Sequence, residues 1–209
     1  MSPKPTVNDE FFERARYAKG KETLRSIHEA TYELIVEGGL AAASQEAIAR
    51  HANVSQSAVR HYFPTKEELL LAFFSTGVVR LKVLLDQKLS ENQKDPREKL
   101  LEIVSTHYDW INSVEDLYYF ESAAFWGRNP DFRAMREKWY QGMAKHYRNL
   151  ISEINPSWSR QLCEDASFQM VTLILGGWTT MGNTRPLLRN RSKKALKNKL
   201  LMGVEKLIS

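Results

Sequence analysis

Cysteine is nearly absent from the chain: 209 residues hold one, Cys163, which excludes an internal disulfide and a multi-cysteine zinc site and leaves nothing to suggest an oxidising compartment. Hydrophobic runs are scarce as well. The first twenty residues include Pro3, Pro5, Asp9, Glu10 and Glu13 and lack the apolar stretch of a secretory signal. One uncharged segment, 166–184, approaches the ~20 residues that span a bilayer, but Ser167, Gln169, Thr172, Thr179, Thr180 and Asn183 make a buried helix the better reading. Reactive constellations are missing too. The five histidines are scattered, no zincin spacing or phosphate-binding glycine loop occurs, and Cys163 has no base nearby in sequence. A protein of the cytoplasm that is no enzyme and carries no metal or cofactor is therefore expected.

Positive charge is present but misplaced for a simple argument. The formal charge is +5, which hints at a polyanionic partner, yet residues 1–75 hold nine Lys and Arg against ten Asp and Glu. Much of the excess lies in 185–199, with seven basic residues and no acid. The 43% hydrophobic and 26% charged content is that of an ordinary globular chain.

Almost every segment reads as helix. Leu24, Ile27, Thr31, Leu34 and Ile35 share one helical face, and Gly38-Gly39 ends that element, which places the first helix near 21–37. Ser44 caps a short second helix that ends near His51. A third runs from Ser55 to Tyr62 and stops before Pro64, because the residue preceding proline is pushed out of the helical region. Thr65-Lys66-Glu67-Glu68 is a capping box, with Thr65 and Glu68 satisfying each other's amides at the start of a long helix to about Leu89. Further helices are expected near 97–113, 115–127, 131–153, 159–183 and 192–208, divided by Asp95-Pro96, Asn129-Pro130, Asn155-Pro156 and Arg185-Pro186. The fold class is all-α: an N-terminal three-helix domain joined to a larger helical one. The expected divisions are a flexible arm at 1–19, a helix-turn-helix domain at 20–66 and a second domain at 67–209.

The second and third helices carry the functional argument. A helix-turn-helix needs two short helices in close contact and a chain reversal within about three residues. Ala49 is small at the crossing, Ile48, Val54 and Val59 supply packing, and Asn53 occupies the turn, being one of the few residues that tolerates a left-handed backbone. With Ile48-Ala49, Ala52-Asn53-Val54-Ser55, Tyr62-Phe63 and Lys66-Glu67-Glu68-Leu69 together, residues 20–75 resemble the TetR family of transcriptional regulators. Asn53 stands where that family usually has glycine, and Arg60 where it often has tyrosine.

The resemblance implies a dimeric all-helical regulator, usually a repressor, that binds a palindromic operator in double-stranded DNA and is released by a small-molecule effector. A regulator that activates, or one without an effector, is the alternative. Ser55, Gln56 and Ser57 open the recognition helix, the part that approaches base edges in this motif. Arg60 pairs either with guanine or with phosphate. Family likeness adds His61 and Tyr62 as DNA contacts and Lys66 as a phosphate-gripping lysine, while Ser44 divides its hydroxyl between its own helix and phosphate.

In the second domain His107, Trp110, Glu121, Phe125, Trp139 and Trp178 are the candidate lining of an effector pocket, although a core role fits each aromatic equally. A homodimer is expected through the last two long helices, on one face formed by Cys163, Ala166, Met170, Leu173 and Gly177 and another formed by Leu196, Leu200, Val204 and Leu207. Lysines 193, 194, 197 and 199 leave attachment to a membrane surface as a competing use of the last helix.

Overall fold

The computed structural model describes residues 10–91, 95–181 and 191–209, and the side chains of all of these but 178–181. Its helices are α1 (Glu10–Glu13), α2 (Ala18–Ala42), α3 (Gln45–His51), α4 (Gln56–Tyr62), α5 (Lys66–Ser90), α6 (Pro96–Ile111), α7 (Asp116–Arg128), α8 (Pro130–Ile154), α9 (Arg160–Met181) and α10 (Lys193–Leu207). No strand occurs among the described residues. The fold is all-α, as expected.

Caps explain where the helices start. Ser44 accepts from the Ala47 amide at 3.1 Å and Ser55 from the Ala58 amide at 3.1 Å. Asp95 accepts from the Arg97 amide with Pro96 in the first turn, and Ser192 accepts from the Ala195 amide. Each such bond satisfies one of the amides that a helix start leaves without a partner. The capping box at α5 is half formed: the Glu68 amide donates to Thr65 Oγ1 at 3.1 Å, while the Thr65 hydroxyl donates to the Glu68 carboxylate at 3.2 Å. Asn129 works twice, its Oδ1 accepting from the Phe132 amide at 2.8 Å and its Nδ2 donating to Glu67 Oε1 at 2.9 Å.

The chain forms two compact units. The first comprises Met1–Arg80, as far as described, with Glu115–Arg136. The expected boundary at residue 66 is thereby corrected: the unit takes in most of α5, all of α7 and the start of α8. Its core is aromatic. Phe74 meets Tyr118, Phe125 and Phe132 at ring-centroid distances of 5.5, 5.4 and 5.9 Å, and each fully buried phenylalanine contributes about 1.5–3 kcal/mol. α7 packs on α2, which breaks at Gly39 (φ 70°, ψ −172°), a backbone region open in practice only to glycine. Glu121 of α7 brings Oε1 against the face of Gly39 where a side chain would stand.

The flexible arm expected at 1–19 is corrected from residue 10 onward. Phe11 is fully buried, stacked on Phe63 at 4.8 Å and edge-on to His28 at 5.2 Å, and Ala15 is buried beside it. The alternation of charge in this segment concealed one apolar anchor. His28 is itself enclosed by Phe11, Phe12 and Phe73, and its Nε2 lies 3.2 Å from Thr76 Oγ1. The Thr76 hydroxyl already donates to the Phe73 carbonyl, so Nε2–H is the donor to Thr76. Burial, reinforced by Arg80, holds the His28 pKa down to about 3.

The second unit comprises Leu81–Val114 and Glu137–Ser209, as far as described. α10 packs on α9 and α6, and Gly203 lets α10 approach Leu173, since an added Cβ would stand 3.1 Å from Leu173 Cδ2. Here the expected dimer faces need correcting. Cys163, Ala166, Met170, Leu196, Leu200 and Val204 are buried within the unit itself. An apolar stripe shows that something covers it, not what. The outward apolar side chains are Leu162 and Phe168 on α9 and Met202 on α10, with Phe168 71% exposed.

Candidate nucleic-acid interface

α3 and α4 cross at Ala49, which is 3% exposed, over Ile48 and Val59, both fully buried. The turn between them is held by backbone bonds from Val54 N to Ala49 O (3.0 Å) and from Asn53 N to Arg50 O (3.3 Å). Asn53 has φ 53°, the one positive φ outside glycine among the described residues. Asparagine bears that conformation at less cost than most side chains. The reversal therefore has the geometry read from its sequence, with asparagine where glycine is usual.

This packing leaves one face of α4 to solvent. Ser55, Ser57, Arg60 and His61 are exposed and Gln56 is half-buried, so the first turn presents small and amide side chains and the last turn adds cationic ones. Ser55 Oγ and Ser57 Oγ are 2.9 Å apart, which links their hydroxyls into one polar group. Tyr62 is half-buried, its ring in edge contact with His61 at 5.0 Å, and its hydroxyl lies over Gly20, where an added Cβ would come within 2.8 Å of it. The phenol thus combines packing with an accessible edge. Ser44 is exposed while it caps α3.

Lys66 is placed differently from expectation. Its ammonium donates to the Leu40 carbonyl at the end of α2, and burial, assisted by Arg128, lowers its pKa from the ordinary lysine value. The ammonium keeps two further N–H donors beside that bond.

Gln45 and Arg14 complete the far end of α4. The last carbonyls of a helix have no partner within it, and here Gln45 Nε2 donates to the Phe63 carbonyl at 2.6 Å while Arg14 Nη1 donates to the Tyr62 carbonyl at 2.7 Å. The Arg14 guanidinium also lies 4.7 Å from the centroid of the Phe63 ring. These bonds join residues 18 and 48 positions apart, beyond the reach of local spacing. His51 adds a tie from α3 to α2, its Nε2 standing 2.6 Å from Glu33 Oε2.

The candidate pocket residues are divided between the two units. Glu121 and Phe125 belong to the first unit and His107, Trp110 and Trp139 to the second, and the side chain of Trp178 lies outside those described. Phe125 is a core residue, 2% exposed between Phe74 and Phe132. His107 is buried on α6 at 2% exposure, and Trp110 and Trp139 are half-buried. A groove of about 440 Å³ is instead lined by Tyr140, Ala144 and Arg148 of α8 and by Glu164, Phe168 and Val171 of α9, none of them among the six.

The family described as bacterial regulatory proteins, tetR family, matches residues 27–73. The chain is 34% identical over 144 residues to the HTH-type transcriptional regulator PksA of Bacillus subtilis, covering 64% of each chain. It is 27% identical over 150 residues to the HTH-type transcriptional regulator BetI of Burkholderia ambifaria, covering 72% of this chain and 77% of that one. The match thus spans a little under two thirds of the length of the Bacillus protein. Among solved structures, AibR in complex with isovaleryl coenzyme A and operator DNA superposes with a TM-score of 0.65 at 15% identity, over 88% of this chain and 97% of that one.

Proposed function

We propose that the chain is a TetR-family transcriptional regulator, on the match of that family to residues 27–73 and the 34% identity to PksA, and that it acts in the cytoplasm as a homodimeric repressor that binds a palindromic operator and is released by a small-molecule effector. The observation that carries this reading is the exposed polar face of α4, held rigidly by a buried crossing on α3. In the motif, that face lies in the major groove with its first turn toward the bases. Gln56 and Ser57 are then the base-reading pair, glutamine suiting adenine. Ser44, Ser55, His61 and Tyr62 contact the backbone, and Arg60 takes a guanine or a phosphate.

A palindrome requires a two-fold protein, with half-sites about 34–36 Å apart or a multiple of that. Leu162 and Phe168 of α9 and Met202 of α10 are exposed apolar side chains on the last two long helices, the elements that suit an isologous four-helix contact. Effector release rests on family likeness; AibR, a protein of similar fold, forms a complex with isovaleryl coenzyme A and operator DNA. Among the described residues no helix is long and apolar enough to cross a membrane.

The test is selection of bound duplexes from a random DNA pool. A recovered palindrome, with affinity that falls steeply as salt rises, is the expected result. Binding indifferent to sequence or to salt would overturn the reading. Effector action is then checked by screening small molecules for thermal stabilisation of the dimer and for loss of operator binding by the same compounds.

A further inference from the structure

Resting on the DNA-binding reading, we propose that Arg14 is a positioning residue for the recognition helix, acting on the operator through Tyr62 and Phe63 rather than by touching it. α4 has seven residues, a length of ~10 Å, and its first turn carries the base-reading side chains. Its other end is where the fold grips it. Arg14 donates to the Tyr62 carbonyl at 2.7 Å and lies over the Phe63 ring at 4.7 Å. Phe11 backs that ring at 4.8 Å from within the core. A cation at a helix C-terminus is favourable both for the carbonyl and for the dipole.

The lever is short but sufficient. A tilt of ~10° about the C-terminal end of a helix this long moves its first turn by about 2 Å, more than a hydrogen bond to a base edge tolerates. Arg14 is exposed, so a direct grip on phosphate is the competing role, and the two differ in their dependence on salt. A phosphate contact releases counterions, and its loss reduces the slope of log K against log salt by about 0.9. A positioning residue lowers affinity and leaves that slope unchanged.

The experiment uses the full chain and a duplex recovered by selection with the wild type. Binding is measured between about 50 and 200 mM salt, at a temperature where circular dichroism shows every variant folded. Arg14→Ala should bind about tenfold more weakly, as befits one charge-assisted bond, with the wild-type slope. Arg14→Lys keeps the charge but not the planar guanidinium on Phe63 and should stay weakened. Phe11→Leu, which removes the backing ring and no charge, should weaken binding with the same unchanged slope. A slope reduced by about 0.9 in Arg14→Ala, with full affinity in Arg14→Lys, would overturn the proposal in favour of phosphate contact. Wild-type affinity in all three variants would overturn it in favour of a purely structural brace. A wild-type chain that recovers no duplex overturns the DNA-binding reading and this inference with it, whereas wild-type binding with unaffected variants overturns the inference alone.

Discussion

Protonating His28 would set a charge among Phe11, Phe12 and Phe73, and the first unit should weaken as the pH falls. The imidazole is held at a pKa of about 3 in the fold against 6.5 for an unperturbed histidine. Between these values the unfolded chain takes up a proton that the folded chain refuses, so unfolding gains from acidification. Stability from this residue is fully present above the unfolded pKa and is lost on descending below it, at about 1.4 kcal/mol per pH unit. From pH 7.5 to pH 5 the loss is about 2 kcal/mol, a substantial part of the 5–15 kcal/mol that holds a typical domain together. The assay is urea unfolding at both pH values for the wild type and for His28→Gln, whose amide can still donate toward Thr76. Every other titrating group is common to the two proteins and cancels in the difference. The wild type should lose about 2 kcal/mol more than the variant, and its His28 resonances should remain those of a neutral ring at pH 5. Equal losses in the two proteins would refute the argument.

Gly39→Ala should destabilise by about 1–3 kcal/mol in thermal unfolding, because φ 70° with ψ −172° is strained for any side chain. Adding Glu121→Ala should recover only the part due to the clash with Oε1. Tyr147→Phe should be neutral or stabilising by up to about 1 kcal/mol, since the hydroxyl is buried with no hydrogen-bond partner among the described residues; a clear loss of stability would show a partner that the geometry lacks. Ser55→Ala and Ser44→Ala should each cost about 1 kcal/mol by denaturant titration through the lost cap, and Ser55→Gly much less. Gln45→Ala should cost about 1 kcal/mol through its bond to the Phe63 carbonyl.

The starts of α3 and α5 were legible because each is written in a residue that acts locally: Ser44 and Thr65 bond amides three positions ahead. Asn53 was legible for the same reason, a tight turn imposing its demand on one residue. What escaped were the effects of distance. Nothing near Arg14 or Gln45 in the sequence announces that their donors end on Tyr62 and Phe63. Phe125 was weighed as pocket or core on spacing alone, and the Phe74 and Phe132 rings that decide for core come from other helices. Cys163, Ala166 and Met170 announced a covered face on α9, and the cover is within the same unit. Lys66 has the position of a phosphate ligand and a carbonyl already in its reach.

The two donors at the end of α4 also bear on the order in which the chain assembles. A seven-residue helix is well below the ~12–15 residues that an isolated helix needs to persist in water, so α4 exists only on its supports. Synthesis runs from the N-terminus, and residues 14 and 45 leave the ribosome before 62 and 63. The last turn of α4 therefore forms against donors that are already waiting. A circular permutant that moves residues 10–17 to the end of the chain would leave Gln45 in place and take Arg14 out of this schedule, so that the Tyr62 carbonyl would meet its donor only once synthesis is complete.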